Sequence, residues 1–170
     1  MIPSQLIEPP DTFFLSAAIG WIELGDPAEA ELELLRMSPH LTQHPDVLEV
    51  HWIILASRQA WDQGLAVAQQ LCQKAPERPS GWLHRAYAMR RASSGGLEEA
   101  LKLLQPSADL FPDNPTIRYN LACYTCLLNR LGEAREWLAR ARQIGGKKTI
   151  QSMALGDADL ERLWPEIKRW

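Results

Sequence analysis

Apolar residues recur three and four positions apart along most of the chain, which is the spacing of one face of an α-helix. In the clearest example, Leu121, Ala122 and Thr125 share one side of a first helix. A second helix is predicted over about residues 132–144, and a pair of glycines ends it. No segment predicts a strand. The pattern therefore predicts an all-α fold.

The helical pattern repeats along the chain with a period of 34 residues. Four segments begin 34, 34 and 36 residues apart, at Asp11, Pro45, Pro79 and Pro115. A period of this length is typical of stacked helix pairs, so the sequence predicts a solenoid of four pairs. Each segment carries a small residue nineteen positions after its start, or twenty-one in the longer third segment, which lets two helices pack closely. These small residues are Ala30, Gly64, Ala100 and Ala134.

Several segments resemble the tetratricopeptide repeat. They are residues 119–124 (YNLACY) with 131–138 (LGEAREWL), and 82–88 (WLHRAYA) with 97–100 (LEEA) and 111–114 (FPDN). The resemblance implies a right-handed α-solenoid of four TPR-like helix pairs.

The resemblance divides the chain into three parts. An N-terminal extension over 1–10 is followed by four repeats and by a C-terminal cap over 149–170, in which Asp157 or Asp159 is expected to cap the final helix. The cap covers the apolar face that the last repeat would otherwise expose. It looks like the closing segment of a small, mostly bacterial group of tetratricopeptide proteins of unassigned function. The repeats span 11–44, 45–78, 79–114 and 115–148.

Four residues depart from the family pattern. Trp52 stands where the family has a small residue, and it is expected to push its helices apart or to turn outward. His51, Arg85 and Arg118 replace apolar residues, and we expect His51 and Arg85 to stack or to share a carboxylate such as that of Glu49. These departures affect local packing and leave the predicted fold unchanged.

The composition is that of an ordinary globular protein, with 46% apolar and 23% charged residues in 170. We expect one domain and a cytoplasmic location, because no secretory signal or long apolar run is seen and three cysteines make no disulfide framework. Residues 1–35 carry seven acids and no base, whereas 78–148 carry twelve bases and six acids. This gradient either orients an acidic partner or lies on solvated faces. Nucleic acid and membrane partners are not expected.

The first helix of each repeat lines the concave surface in this family, and partners usually bind there. Carried over by register, the resemblance implies an apolar and aromatic groove that suits a peptide with apolar anchors. The protein is therefore expected to be a non-catalytic interaction module, such as an adaptor, scaffold or assembly factor. The predicted partner-binding residues are Leu15, Ile19, Glu49, Ile53, Leu83, Tyr87, Arg90, Tyr119 and Cys123.

Two other functions stay open at this stage. The apolar groove is also compatible with a self-assembling structural protein, in which the N-terminal residues or a second protomer fill it and a homo-oligomer forms. A secretion chaperone is the further alternative.

No catalytic, metal or cofactor site is predicted. Cys123 and Cys126 form a CxxC motif, but Cys123 lies inside its predicted helix rather than at the N-terminus that would activate a thiolate. The four histidines, among them His40 and His44 in one turn, lack the common metal-ligand spacings. We therefore expect no enzyme and no cofactor.

Overall fold

The computed structural model describes residues 6–170, and every regular element in that range is a helix. The predicted all-α fold is confirmed. Short 3-10 helices lie at Pro39–Leu41 and Ala158–Leu163. The α-helices are α1 (Asp11–Glu23), α2 (Pro27–Leu35), α3 (Pro45–Ser57), α4 (Trp61–Lys74), α5 (Pro79–Met89), α6 (Leu97–Leu104), α7 (Ser107–Leu110), α8 (Pro115–Leu127), α9 (Leu131–Gly145), α10 (Lys147–Leu155) and α11 (Trp164–Ile167).

Capping side chains and prolines define where several helices begin. Proline occupies the first turn of α2, α3 and α8, where its missing N–H would have no helical partner. The Asp26 carboxylate accepts from two backbone N–H groups of α2, and the Asn114 side chain accepts from the Ile117 N–H at 3.1 Å. His44 Nδ1 accepts from the Asp46 N–H at 3.2 Å, so this histidine caps α3.

The turns inside three of the predicted helix pairs share one backbone conformation. Gly25, Gln59 and Asn129 all have positive φ, at 81°, 57° and 62°. Each stands fourteen residues after the start of its predicted repeat. Such a left-handed residue ends a helix and reverses the chain. The 34-residue period is therefore visible in the backbone as well as in the apolar pattern.

The chain forms two compact units, Met1–Ala88 and Met89–Trp170. The boundary between them falls at the end of α5, within the predicted third repeat of 79–114. The units therefore do not follow the predicted repeat boundaries, and the domain assignment stays a prediction.

In the first unit, α1 packs against α2, and α3 packs against α4. Ala18 and Ala30 are completely buried between these pairs. They pack against Val50 and Ile54 of α3, and the small alanines let the helices approach closely. Ile7, before α1, packs against a separate cluster that contains Met37.

Trp52 lies in the core of the first unit, not on its surface. Its side chain is 8% exposed and belongs to the cluster that α3 and α4 share. A Cβ added at Gly64 would lie 3.6 Å from Trp52 Nε1, so the missing side chain of this glycine makes room for the indole. The expected outward turn of Trp52 is therefore wrong, because a large residue on α3 faces the smallest residue on α4.

In the second unit, α8 and α9 pack along their length, and the C-terminal segment packs on both helices. Ala134, Leu138 and Ala141 form the buried side of α9, as the sequence predicts. The 3-10 helix Ala158–Leu163 contacts α8, while α10 contacts α9. The buried apolar residues of the C-terminal segment are Ile150, Ala154, Leu160, Leu163 and Ile167.

Arg118 is a buried cation that binds only backbone carbonyls. The side chain is 9% exposed. Its guanidinium donates to the carbonyl oxygens of Ala108 at 2.8 Å, Phe111 at 2.9 Å and Asn114 at 3.1 Å. These carbonyls lie in α7 and in the loop that follows, and the Phe111 carbonyl also accepts from the Asn114 N–H at 3.2 Å. The arginine can therefore occupy a position where the repeat pattern has an apolar residue, because its guanidinium hydrogen-bonds the backbone of the connection into α8.

Along residues 6–170, none of the helices combines the length and the apolar character that crossing a bilayer requires.

Candidate functional site

Three predicted groove residues form a row of exposed apolar side chains in the first unit. Ile19 on α1, Ile53 on α3 and Tyr87 on α5 are 34 residues apart in the sequence. They are 44%, 38% and 37% exposed. We call these three residues the apolar row. The helices that carry them pack on one another, because α1 contacts α3 and aromatic contacts join α3 to α5.

Aromatic side chains brace the Tyr87 end of the apolar row. The Tyr87 ring meets Trp52 edge-on at a centroid distance of 6.1 Å and meets Trp61 at 5.7 Å. Trp52 in turn stacks on the His84 ring, with centroids 3.7 Å apart and planes 11° from parallel. Aromatic pairs of these geometries stabilise one another beyond their buried area. Tyr87 is therefore held in place before any partner arrives.

A polar cluster lies beside the aromatic residues. The Glu49 carboxylate accepts a short hydrogen bond from the Ser80 hydroxyl, and His84 Nε2 lies 2.8 Å from its other oxygen. Burial alone would raise the pKa of Glu49. The hydrogen bonds from His84 and Ser80, together with the electrostatic influence of His84 and Arg78, instead hold that pKa below its usual value. The carboxylate thus stays ionised and ties α3 to α5.

Glu49 has a different partner from the one the sequence suggested. The structure pairs it with His84, whereas a contact with His51 or Arg85 was expected. Arg85 Nε is buried and has no hydrogen-bond partner in the part of the chain that the structure describes, and burial lowers the pKa of His51. The cause is helical phase, since Ser80 and His84 are four residues apart on α5 and share the face that meets Glu49.

Two other predicted groove residues of the first unit contribute to packing. Leu15 is only partly exposed and packs against two core clusters, one around Ala18 and one around Met37. Leu83 is also partly buried. Both side chains therefore offer a partner less apolar surface than the row does.

The remaining predicted residues lie in the second unit, where the C-terminal segment covers them. Tyr119 and Cys123 on α8 are only 6% and 3% exposed. The Tyr119 hydroxyl donates to Asp157 Oδ2 at 2.9 Å, and Cys123 Sγ lies 3.5 Å from the same oxygen. Arg90 binds both carboxylate oxygens of Asp159. These three residues therefore hold the chain's own C-terminal segment.

This coverage differs from the one that the sequence suggested. The N-terminal residues or a second protomer were expected to fill an apolar groove, and residues 1–5 of that N-terminal segment lie outside the described range. At Tyr119 and Cys123 the covering residues come from the other terminus. A partner cannot reach these two side chains in this conformation, whereas the apolar row stays accessible.

Asp157 and Asp159 are the functional residues that the sequence interpretation undervalued. Asp157 caps the 3-10 helix Ala158–Leu163, since its Oδ1 accepts from the Asp159 N–H at 3.0 Å, whereas the final helix α11 follows Leu163 and has no side-chain cap from residues 6–170. Their second role, binding Arg90 and Tyr119 across the unit, had no signal in the repeat register. The one available indication of this role was the sequence Asp-Ala-Asp inside an apolar capping stripe. Two charges are not needed to cover an apolar face, so they suggest polar partners.

The cysteine environment is unfavourable for thiolate chemistry. Burial raises the pKa of Cys123, and the negative charges of Asp157 and Asp159 raise it further. Burial also raises the pKa of Cys126. Both thiols therefore stay protonated near neutral pH, unlike the nucleophilic thiols of redox motifs.

Cys123, Asp157 and Asp159 bring three potential metal-ligand atoms within 4.8 Å of one another. All four carboxylate oxygens already accept hydrogen bonds from protein donors. Asp159 is bound by Arg90, while Asp157 is bound by Tyr119, Cys123 and a backbone N–H. A cation there would compete with a guanidinium and a phenol, so the geometry favours internal attachment of the C-terminal segment.

Comparison with known proteins adds no assignment to this geometry: the chain matches no protein-family model, and no curated protein matches it significantly.

Proposed function

We propose that this protein is a non-catalytic interaction module, an adaptor or assembly factor, built as a right-handed α-solenoid of tetratricopeptide-like helix pairs. The repeated left-handed turn residues Gly25, Gln59 and Asn129 support the proposal. So do the completely buried alanines Ala30 and Ala134 at equivalent repeat positions. Solenoids of this kind bind other proteins along the surface that their first helices form.

The apolar row is the observation that carries the proposal. Ile19, Ile53 and Tyr87 occupy one repeat position on α1, α3 and α5, and each keeps more than a third of its surface exposed. An equivalent residue on α8, Cys123, is covered by the C-terminal segment of its own unit. The proposed binding surface is therefore confined to the first unit.

The chemistry of this surface favours a peptide with apolar anchors. Each side chain of the row offers apolar area, and the Tyr87 ring is braced by Trp52 and Trp61. Rigid aromatic side chains are common binding hot spots, because little conformational entropy is lost when they bind. Glu49 is engaged by Ser80 and His84, so its role in the surface is to position α3 and α5.

The cysteines support a role without catalysis and also the proposed location. The thiols of Cys123 and Cys126 are buried and have raised pKa values. All three cysteines are free, which fits the proposed cytoplasmic location, where thiols stay reduced.

The experiment compares capture by immobilised wild-type protein and by Ile53→Glu with Tyr87→Ala. Lysate of the source cells supplies the partners, and mass spectrometry identifies them. We expect a specific partner that the wild type retains and the double variant loses, because a charge and a cavity replace two anchors. Arg90 is left unchanged, since its substitution would disturb the second unit through Asp159.

A matched control is Leu110→Glu, which places a charge at a 57% exposed leucine of the second unit. This variant should capture the same partner as the wild type. Circular dichroism must show equal helix content for all three proteins. If the double variant retains the partner as well as the wild type does, the apolar row is not the binding surface.

A further inference from the structure

Apart from Leu6, which is 79% exposed, the most exposed large apolar side chains of the first unit lie on one helical hairpin and outside the apolar row. Leu24 and Leu35 are 77% and 76% exposed, and Phe13 and Leu32 are 66% and 53% exposed. All four belong to α1, α2 or the turn between them. Single exposed leucines are ordinary, but four on one helical hairpin form a patch of the kind that marks an interaction site.

These four residues lie on one face, directed away from α3. Ala18 of α1 and Ala30 of α2 pack against α3. With 3.6 residues in each turn, Phe13 and Leu24 fall on the side of α1 opposite Ala18.

Leu32 and Leu35 likewise fall on the side of α2 opposite Ala30. The two helices run antiparallel, and the Arg36 guanidinium after α2 lies 4.3 Å from the centre of the Phe14 ring near the start of α1. The ends of the two stripes are therefore neighbours. We call Phe13, Leu24, Leu32 and Leu35 the outer face of α1–α2.

The centre of the outer face is smooth. Gly20 lies on α1 between Phe13 and Leu24, and a Cβ added there would have no neighbour within 4 Å. Ala28 lies on the same side of α2 as Leu32 and is exposed. Small residues between large apolar ones leave a shallow channel into which the side chains of another helix can pack.

The charge around the outer face is negative. Glu23 and Glu29 are exposed beside it, and neither forms an ion pair within residues 6–170. Glu31 and Glu33 are neutralised by Arg58 and Arg36. The whole first unit holds eleven acidic and five basic residues. A second copy docked through the same face would bring acidic rims together, whereas a basic partner would neutralise them.

We propose that the outer face of α1–α2 binds an amphipathic helix of a partner protein whose apolar stripe is flanked by lysines or arginines. The apolar stripe would pack on Phe13, Leu24, Leu32 and Leu35, and the basic flanks would meet Glu23 and Glu29. Helices recognise apolar surfaces in this way through side chains three and four residues apart. The proposal is independent of the apolar row, which lies on another side of α1.

The test uses two synthetic peptides of about 18 residues, long enough to be helical in water. One combines a leucine stripe with lysines, and the other carries glutamates in place of the lysines. Fluorescence anisotropy measures their binding to the full chain. We expect the lysine peptide to bind at low salt and to weaken as salt rises, and the glutamate peptide to bind at least about tenfold more weakly.

Three variants locate the binding. Leu32→Gln with Leu35→Gln should weaken the lysine peptide at least about tenfold, because two anchors become polar. Glu23→Gln with Glu29→Gln should weaken it and reduce the salt dependence. Leu110→Gln, at an exposed leucine of the second unit, is the control and should bind as the wild type does. Circular dichroism checks that each variant is folded.

Several results would overturn the proposal. Equal binding of both peptides, no binding of the lysine peptide, or unchanged binding by the Leu32/Leu35 variant would each do so. Light scattering that shows a dimer, dissolved by the Leu32/Leu35 variant, would instead assign the face to a second copy of the chain. Tyr87→Ala should leave lysine-peptide binding unchanged, which separates this result from any failure of the apolar row.

Discussion

Individual residues in this chain are tolerated where a neighbour compensates for their size or charge. Trp52 fits the core because Gly64 leaves room beside its indole ring. The indole N–H has no hydrogen-bond partner among residues 6–170, so the fit is favourable in shape, but the polar N–H group is left unsatisfied there. Arg118 is the opposite case, since its burial is matched by three carbonyl acceptors. The effect of a residue that departs from the repeat pattern therefore depends on the neighbouring groups that it contacts.

The Arg118 contacts lead to a prediction at this scale. Arg118→Met should lower the free energy of unfolding by about 2–4 kcal/mol, because up to three carbonyls lose their donor inside the protein. Arg118→Lys should lose less, since an ammonium group keeps part of this hydrogen bonding. Urea unfolding measures both values. Lys102→Met, at an exposed position of α6, is the control, and an equally small effect of Arg118→Met would contradict the structural role.

At the scale of elements, helix pairs are joined by apolar contacts between neighbours and by a small number of polar links. Ala18 and Ala30 bring α1 and α2 against α3. Glu49 joins α3 to α5 through Ser80 and His84, over sequence separations of 31 and 35 residues. Such a polar link adds orientation to the apolar packing, because hydrogen bonds require a specific geometry.

The Glu49 link predicts a pH-dependent stability. Because the folded state holds the pKa of Glu49 below its unfolded value, the carboxylate stabilises the fold above that unfolded value and loses its effect as pH falls through the lowered one. We expect Glu49→Gln to be about 1 kcal/mol less stable than the wild type near neutral pH, given that the pair is partly exposed. The difference should shrink below about pH 4.

Urea unfolding at several pH values measures this difference between wild type and Glu49→Gln. Glu77→Gln, which removes an exposed carboxylate outside the cluster, is the matched control. A difference between wild type and Glu49→Gln that stays constant from neutral to acid pH would argue against the proposed linkage.

At the scale of the whole molecule, the two units present their first-helix surfaces in different ways. The first unit leaves Ile19, Ile53 and Tyr87 accessible. The second unit closes Tyr119 and Cys123 with residues from its own C-terminal segment. Apolar burial of Leu160 and Leu163 holds this segment in place. Asp157 fixes its position on α8, and Asp159 binds Arg90. The first unit therefore supplies a candidate binding surface, while in the second unit the chain's own C-terminal segment occupies the corresponding residues.

Weakening the attachment of the C-terminal segment should expose the Cys123 thiol. In Asp157→Ala with Asp159→Ala, we expect iodoacetamide to label Cys123 at least about tenfold faster than in the wild type. Local opening becomes easier by roughly 1.4 kcal/mol, and the two charges that raise the pKa of this thiol are removed as well. Mass spectrometry resolves the labelling site, and partly exposed Cys72 serves as the internal reference. Glu161→Ala, at an exposed position of the same segment, should label as the wild type does. Unchanged labelling of Cys123 in a folded double variant would show that apolar packing alone closes this surface.

The sequence by itself determined the all-α class and the positions of many helix ends. These features depend on local chemistry, such as prolines in first turns, the capping side chains Asp26 and Asn114, and left-handed residues after α1, α3 and α8. The exposed positions Ile19, Ile53 and Tyr87 also followed from the 34-residue register, because equivalent residues on equivalent helices point in similar directions.

Tertiary structure alone decided which of the predicted groove residues stay accessible. Asp157 lies 38 residues after Tyr119 and 34 after Cys123, and no local pattern indicates where a segment at that distance will pack. The same holds for Glu49, whose choice of His84 depends on the phase in which α5 meets α3. Helical periodicity specifies which face of each helix is buried. Which segment packs on that face depends on contacts between residues that are far apart in the sequence.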